Sequence, residues 1–217
     1  MIIQTLGNRN TIIDQIIAEM RDVQVQGDAL RFRRNLERFG ELVAYEISKE
    51  LKYHTTEVVT PLGTADVPVL SEYPVMATIL RAGLPLHNGM LNIFDKSSNA
   101  FVSAYRRHTK EGSFEVMVDY ISSPDIDGKV LILSDSMLAT GLSIHLCLRE
   151  LYTYGKPSHI HIVTVLASVE GIDYLKRNLS GDDITLWVGA VDDELTAQAY
   201  IVPGLGDAGD LAFGVKN

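Results

Sequence analysis

The chain has 217 residues, 46% of them hydrophobic and 22% charged, with a net charge of −9 at neutral pH. That size suits one domain with a substantial core, and the acidic balance argues against a nucleic-acid-binding surface. The single cysteine, Cys147, excludes a disulfide within one chain and a cysteine-based zinc cluster.

The start, Met1-Ile2-Ile3-Gln4-Thr5, has neither the basic region nor the long apolar run of a secretory signal. No apolar run approaches the roughly 20 residues of a membrane span, so the expected compartment is the cytoplasm. Ile12, Ile13, Ile16, Ile17 and Met20 recur at helical spacing and predict a first amphipathic helix. Leu36, Phe39, Val43, Ile47 and Leu51 predict a second, longer one. Thr55–Thr60 and Thr64–Leu70 flank Pro61-Leu62-Gly63 and read as a β-hairpin arm, a candidate subunit contact.

From Val75 the order changes to alternating elements. Strands are predicted at Val75–Leu80, Ala100–Tyr105, Phe114–Ile121, Lys129–Ser134, His159–Ala167 and Ile184–Gly189. Helices are predicted at Leu84–Phe94, Ser143–Tyr154 and Val169–Asn178, and a polar turn at His108–Gly112. Apolar strands alternating with helices give an α/β fold with a mostly parallel central sheet. The expected division is one domain: residues 1–53 as N-terminal helices, 54–72 as the arm, 73–199 as the α/β core and 200–217 as a C-terminal segment.

Ligands of such a sheet sit beyond the carboxyl ends of its strands. Three loops are expected there: Arg81-Ala82-Gly83, Tyr105-Arg106-Arg107, and Asp135-Ser136-Met137-Leu138-Ala139-Thr140-Gly141-Leu142-Ser143. In the third, Asp135 can accept hydrogen bonds from vicinal sugar hydroxyls. Thr140, Ser143 and the backbone from Ala139 onward offer donors to a phosphate. Taken alone, the loop favours a ligand cradle over an ordinary turn before a helix, whereas Arg81 alone favours a surface ion pair.

The loop closely resembles the phosphoribosyl-pyrophosphate loop of the uracil phosphoribosyltransferases, Asp-Pro-Met-Leu-Ala-Thr-Gly-Gly-Ser. Ile79-Leu80-Arg81-Ala82-Gly83-Leu84 is similar to that family's pyrophosphate loop. Tyr200-Ile201-Val202-Pro203-Gly204-Leu205-Gly206-Asp207-Ala208-Gly209-Asp210 is similar to its uracil-binding segment. Tyr105-Arg106 resembles a fourth, weaker site, and the resemblance runs from about Val75 to the end.

The resemblance implies a type I phosphoribosyltransferase fold and transfer of the phosphoribosyl group from 5-phosphoribosyl 1-pyrophosphate to uracil. It implies catalytic roles for Asp135, Arg81 and Asp207. Donor contacts are implied for Arg81, Arg106, Asp207 and each residue from Asp135 to Ser143: Ser136, Met137, Leu138, Ala139, Thr140, Gly141 and Leu142 between them. Uracil contacts are implied for Ile201, Gly206, Asp207 and Ala208. The implied cofactor is Mg²⁺ carried by the donor. The implied partners are the two small substrates and further copies of the chain, as a homodimer or homotetramer; no nucleic acid or membrane is expected. Some members respond to GTP. A nucleotide-responsive regulator or a weakened donor-binding protein on the same fold is the alternative.

Two positions depart from the family pattern. Ser136 stands in place of proline and Leu142 in place of the second glycine. If position 142 needs a positive φ, leucine is strained there by about 1 kcal/mol or more. The helical pattern of Ser143, Ile144 and Leu146 favours the other case, in which Leu142 already belongs to the first helical turn.

Overall fold

The computed structural model describes residues 1–108, 114–179 and 183–215, and only the backbone of 105–108 and 114–116. The predicted turn at His108–Gly112 lies almost wholly outside the described residues.

Helix α1 (Ile12–Arg21) opens on a capping box: Thr11 accepts from the Ile13 amide, and the Asp14 carboxylate returns to the Thr11 amide. Its stripe of Ile13, Ile16, Ile17 and Met20 is buried. Helix α2 (Ala29–Ser48) begins seven residues before the apolar repeat at Leu36, because Asp28 caps the amides of Leu30 and Arg31. A short strand precedes both, β1 (Ile2–Thr5), which sequence reasoning did not anticipate. The arm forms as expected from β2 (Tyr53–Thr60) and β3 (Gly63–Leu70), closed by the two residues Pro61 and Leu62. It makes a separate two-stranded sheet, exposed along most of its length.

The core follows in chain order. It comprises β4 (Val75–Leu80), α3 (Gly83–Leu91), β5 (Asn99–His108), β6 (Phe114–Ser122), β7 (Val130–Ser134) and β8 (Met137–Leu138). Then come α4 (Leu142–Leu151), a single turn of tighter helix at Tyr152–Tyr154, β9 (His159–Ser168), α5 (Val169–Asn178) and β10 (Ile184–Asp192). Short pieces end the described chain: β11 (Glu194–Leu195), β12 (Ile201–Val202) and α6 (Ala208–Phe213).

The main sheet runs β1-β10-β9-β7-β4-β5-β6, with β8 paired to β9. Every pairing in it is parallel except β5 with β6. Strands β4, β7 and β9 are buried nearly throughout, as both-face coverage requires. One face packs on α1, α2, α3 and α6 through Phe32, Leu36, Phe39, Leu86, Met90 and Ala212. The other packs on α4 and α5 through Ile144, Cys147, Leu148, Ile172 and Leu175.

This arrangement creates the binding edge. After β4 the chain passes through α3 to β5 on one side, whereas β7 lies on the other side of β4 and leads to β9. The helices following β4 and β7 cover opposite faces, so their loops part at the strand ends and leave a crevice.

Candidate active site

The loop after β7 reaches this crevice first. The Asp135 amide donates to the Val163 carbonyl (3.0 Å), so the carboxylate stands just past the strand end. Ser136 is buried, and its carbonyl accepts from the amides of Val165 and Leu166 at 3.1 and 3.4 Å. Met137 and Leu138 then pair with β9. The position without proline is thus held by backbone bonds to the neighbouring strand.

Beyond Leu138 the chain turns sharply. Gly141 has φ +80°, and an added Cβ would lie 2.9 Å from both the Gly171 carbonyl and a Tyr174 ring carbon. Only glycine fits there without strain. Leu142 is the first residue of α4, so the leucine occupies a helical position, the case favoured by the sequence pattern. Its amide faces the Thr140 hydroxyl at 3.4 Å. Helix α5 braces the turn from below: the Ser168 hydroxyl donates to the Ala139 carbonyl at 2.5 Å and accepts from the Gly171 amide at 2.8 Å. The result is a polar, open pocket lined by Asp135, Ala139, Thr140, Gly141 and Ser143, with Met137, Leu138 and Ile144 behind them. It lies at the start of a ten-residue helix, where an anion is favoured.

Arg81 leaves the end of β4 beside this loop. A Cβ on Gly83 would meet the Thr78 hydroxyl at 2.5 Å and the Ser134 carbonyl at 2.9 Å, so the two loops are packed without space between them. The guanidinium is engaged with the tail: Nη2 donates to Asp210 Oδ1 at 3.0 Å, and both terminal nitrogens reach the Gly214 carbonyl at 3.4 Å. Its Nε is buried with no hydrogen-bond partner among the described residues.

The tail completes the crevice. Ile201 is buried in β12, Ala208 is buried at the start of α6, and Gly206 is exposed with open space where a side chain would be. Asp207 caps α6 by accepting from the Asp210 amide at 3.0 Å. Its carboxylate and the Arg81 guanidinium flank Gly209: an added Cβ there would be 3.1 Å from Asp207 Oδ1 and 3.4 Å from Arg81 Nη2. The structure therefore brings Arg81 and Asp207 together, and lines one pocket on the adjoining loop with Asp135, Met137, Leu138, Ala139, Thr140, Gly141 and Ser143; Ser136, which is buried, and Leu142 are not part of that lining. Arg106 lies in β5, and its side chain falls outside the described residues.

The model for the family described as uracil phosphoribosyltransferase matches residues 8–215. The chain belongs to that family. It is 52% identical over 211 residues to a uracil phosphoribosyltransferase of Porphyromonas gingivalis, covering 97% of each chain. It is 36% identical over 208 residues to one from Methanothermobacter thermautotrophicus, covering 94% of each. Among solved structures, the AQ2163 protein of Aquifex aeolicus superposes with a TM-score of 0.87 at 28% identity, covering 99% of each chain.

As a uracil phosphoribosyltransferase family member, the chain carries a group that its own sequence did not advertise. Asp210, which closes the quoted tail segment, holds Arg81 from 129 residues away, and Arg21, which lies in no motif, holds Gly204 from 183 residues away. The remaining ionisable candidates have structural partners. Cys147 is buried, and burial together with the nearby Asp135 carboxylate pushes its thiol pKa up, so it is no nucleophile. Burial lowers His87 to about 4 against the opposing bond from Asn99.

Among the described residues, one group has the spacing of a metal site: Glu50, His159 and His161, whose ligand atoms lie within 4.8 Å of one another. The hydrogen bonds exclude that use of His161. Trp187 Nε1–H donates to its Nδ1 at 3.1 Å, so Nδ1 has spent its lone pair and Nε2 carries the proton. Burial, and then the adjacent His159, lower its pKa to about 3, so the ring is neutral. His159 rests on the Thr185 hydroxyl at 3.1 Å and Asp183 at 3.2 Å. Both histidines therefore serve the sheet.

Proposed function

We propose that the chain transfers the phosphoribosyl group of 5-phosphoribosyl 1-pyrophosphate to uracil, giving UMP and pyrophosphate. The observation that carries the reading is the junction of three elements at one crevice: the Asp135–Ser143 cradle, Arg81 beside it, and the Ile201–Ala208 segment tied to Arg81 through Asp210. Family membership favours this enzyme over a regulator or a weakened donor-binding protein.

In this reading the donor's 5′-phosphate sits on the amides and hydroxyls of Ala139–Ser143, and Asp135 accepts from the ribose hydroxyls. Uracil lies against the backbone of Ile201, Gly206 and Ala208. Its O2, N3–H and O4 form an alternating set that backbone groups can match, and the amino group of cytosine would meet a donor instead. N1 of uracil bonds to C1 of the ribose, loses its proton, and the pyrophosphate leaves with the C1–O electron pair. Positive charge grows on the ribose ring and negative charge on the leaving group. In this reading Arg81 and Arg106 stabilise the leaving charge, and Asp207 lies between base and donor. Holding both reactants in line removes much of the entropic barrier.

The donor set at the cradle is one carboxylate with hydroxyls and amides. That set fits a Mg²⁺ ion that keeps waters and substrate oxygens and does not fit an all-protein cage. Mg²⁺, when bound with the donor, neutralises pyrophosphate charge. We also infer a cytoplasmic homodimer or homotetramer. The arm supports it, because Val59 and Leu62 are 81% and 100% exposed at its tip. No helix among the described residues is long and apolar enough to cross a membrane.

The reading is tested with purified protein, Mg²⁺, donor and labelled uracil, with cytosine, orotate and hypoxanthine as competitors. UMP and pyrophosphate are expected in equal amounts. Absence of turnover across pH and added nucleotides would sink it.

A further inference from the structure

The segment assigned to uracil is gripped from outside by two side chains that belong to neither the cradle nor the tail. Arg21 is the last residue of α1, and Asp192 the last of β10. Their contact is fork to fork: Arg21 Nη2 donates to Asp192 Oδ1 at 2.7 Å, and Nη1 to Oδ2 at 2.8 Å. The same pair takes both polar groups of Gly204. Arg21 Nη1 donates to the Gly204 carbonyl at 2.9 Å, and the Gly204 amide donates to Asp192 Oδ2 at 3.0 Å. Asp192 is only 7% exposed and Arg21 24%, so the charges are well shielded from solvent. Burial opposes ionisation of Asp192, yet the bonds from Arg21 and Gly204 hold its pKa below the usual carboxylate range.

Gly204 is the pivot of the segment. It has φ +57°, and an added Cβ would lie 2.0 Å from the Ile201 carbonyl. It stands three residues after Ile201 and two before Gly206, so its placement sets the spacing of the groups on either side. A second arginine anchors the far end: Arg33 Nη1 donates to the Ala212 carbonyl at 2.6 Å, and its guanidinium lies 6.0 Å from the Phe213 ring centroid.

We propose that Arg21 and Asp192 are positioning residues for the nucleobase, their ion pair fixing the Gly204 peptide and through it the backbone groups of Ile201 and Gly206 that meet uracil. The inference rests on the assignment of Ile201–Ala208 as the base segment. Recognition by main-chain groups requires a rigid main chain, and Gly204, Gly206 and Gly209 leave this segment conformationally permissive on its own. A free loop would be ordered only as the base binds, at the expense of affinity; the clamp orders it beforehand. The donor cradle hangs on β7, α4 and α5 and shares none of these bonds.

The test is initial-rate kinetics on Asp192→Asn, Arg21→Lys and the double variant, varying each substrate in turn, with melting temperature recorded. Asp192→Asn keeps the side-chain shape and loses the charge; Arg21→Lys keeps the charge and loses the fork. Each is expected to raise the KM for uracil about tenfold or more while the donor KM stays within about twofold, and the double variant should cost little more than either single one. Gly206→Ala, inside the segment, is the reference. If it raises the uracil KM and the clamp variants do not, the positioning proposal is overturned and the base segment stands. If none of the variants moves the uracil KM, the base-segment assignment falls with it. If the clamp variants raise both KM values alike, or lower only the melting temperature, the pair is merely structural and the proposal fails.

Discussion

The turn at Gly141-Leu142 yields the sharpest test, because the two positions make opposite demands. Gly141→Ala places a side chain at φ +80°, which costs about 1–2 kcal/mol in the left-handed region. Its Cβ would stand 2.9 Å from the Gly171 carbonyl and 2.9 Å from Tyr174 Cδ1, both closer than side chains tolerate. Overpacking of that kind costs about 1–3 kcal/mol more. The total, about 2–5 kcal/mol, has to be relieved by moving the cradle off α5. Leu142→Gly acts on the first residue of α4, a regular helical position. It should cost roughly 1 kcal/mol for glycine in a helix, with a small addition for the half-buried side chain. Urea unfolding gives both stabilities, and pyrophosphate release with the donor varied gives both KM values. Gly141→Ala is expected to raise the donor KM at least about tenfold. Leu142→Gly should leave it within about twofold. The reasoning is refuted if Gly141→Ala is silent, or if Leu142→Gly lowers the donor KM severalfold, since that would make position 142 the one that wants glycine.

Other outcomes follow from the same geometry. Arg81→Ala and Asp135→Asn should each lower turnover by about a hundredfold, with the donor KM raised and the melting temperature nearly kept; full activity in both would remove these residues from the site. Val59→Asp with Leu62→Asp puts charge on the exposed tip of the arm and should lower the mass seen by light scattering without changing the fold's circular dichroism. An unchanged mass would exclude the tip as a subunit contact. His87 and His161 are neutral in the fold, with pKa values lowered from 6.5 to about 4 and about 3 by burial. The unfolded chain therefore binds more protons below pH 6.5. Stability should fall on acidification by up to about 1.4 kcal/mol per pH unit for each ring. Urea midpoints from pH 7 to 4.5 check this. His87→Gln, which keeps a hydrogen-bonding group toward Asn99, should make the dependence shallower, and an identical slope would contradict the neutral assignment.

What could be read from the sequence and what could not divides along a physical line. The buried strands Val75–Leu80, Lys129–Ser134 and His159–Ala167 were visible because both faces of a parallel sheet demand continuous apolar runs. The cradle and the tail were visible because each is one contiguous segment whose residue types serve a local geometry. The edge strand β1 was missed: four residues are too few for a pattern, and its pairing partner β10 is some 180 residues away. The start of α2 was left open: Phe32 carries the apolar repeat one turn back from Leu36, and the Asp28 cap sets the first residue. The pieces β12 and α6 lie in the segment 200–217, and β11 at the end of the range given to the core; none of the three was predicted, since each is held by tertiary bonds and not by propensity.

The clamp belongs to the illegible part for a stronger reason. Arg21 sits in a helix whose inward face is fully accounted for by Ile13, Ile16, Ile17 and Met20, so in sequence it is only a basic residue in a last turn. Asp192 ends a strand beside a second acid, Asp193, with nothing to separate the two. Their meaning arises only when the fold brings residues 171 positions apart face to face across Gly204. The N-terminal helices, which matched no motif, thereby hold the C-terminal segment, since α1 and α2 supply the arginines bonded to it at Gly204 and Ala212. On the proposed reading, recognition of a base by main-chain groups needs fixed points outside that segment. The helices packed against the same face of the sheet are the nearest rigid bodies able to provide them.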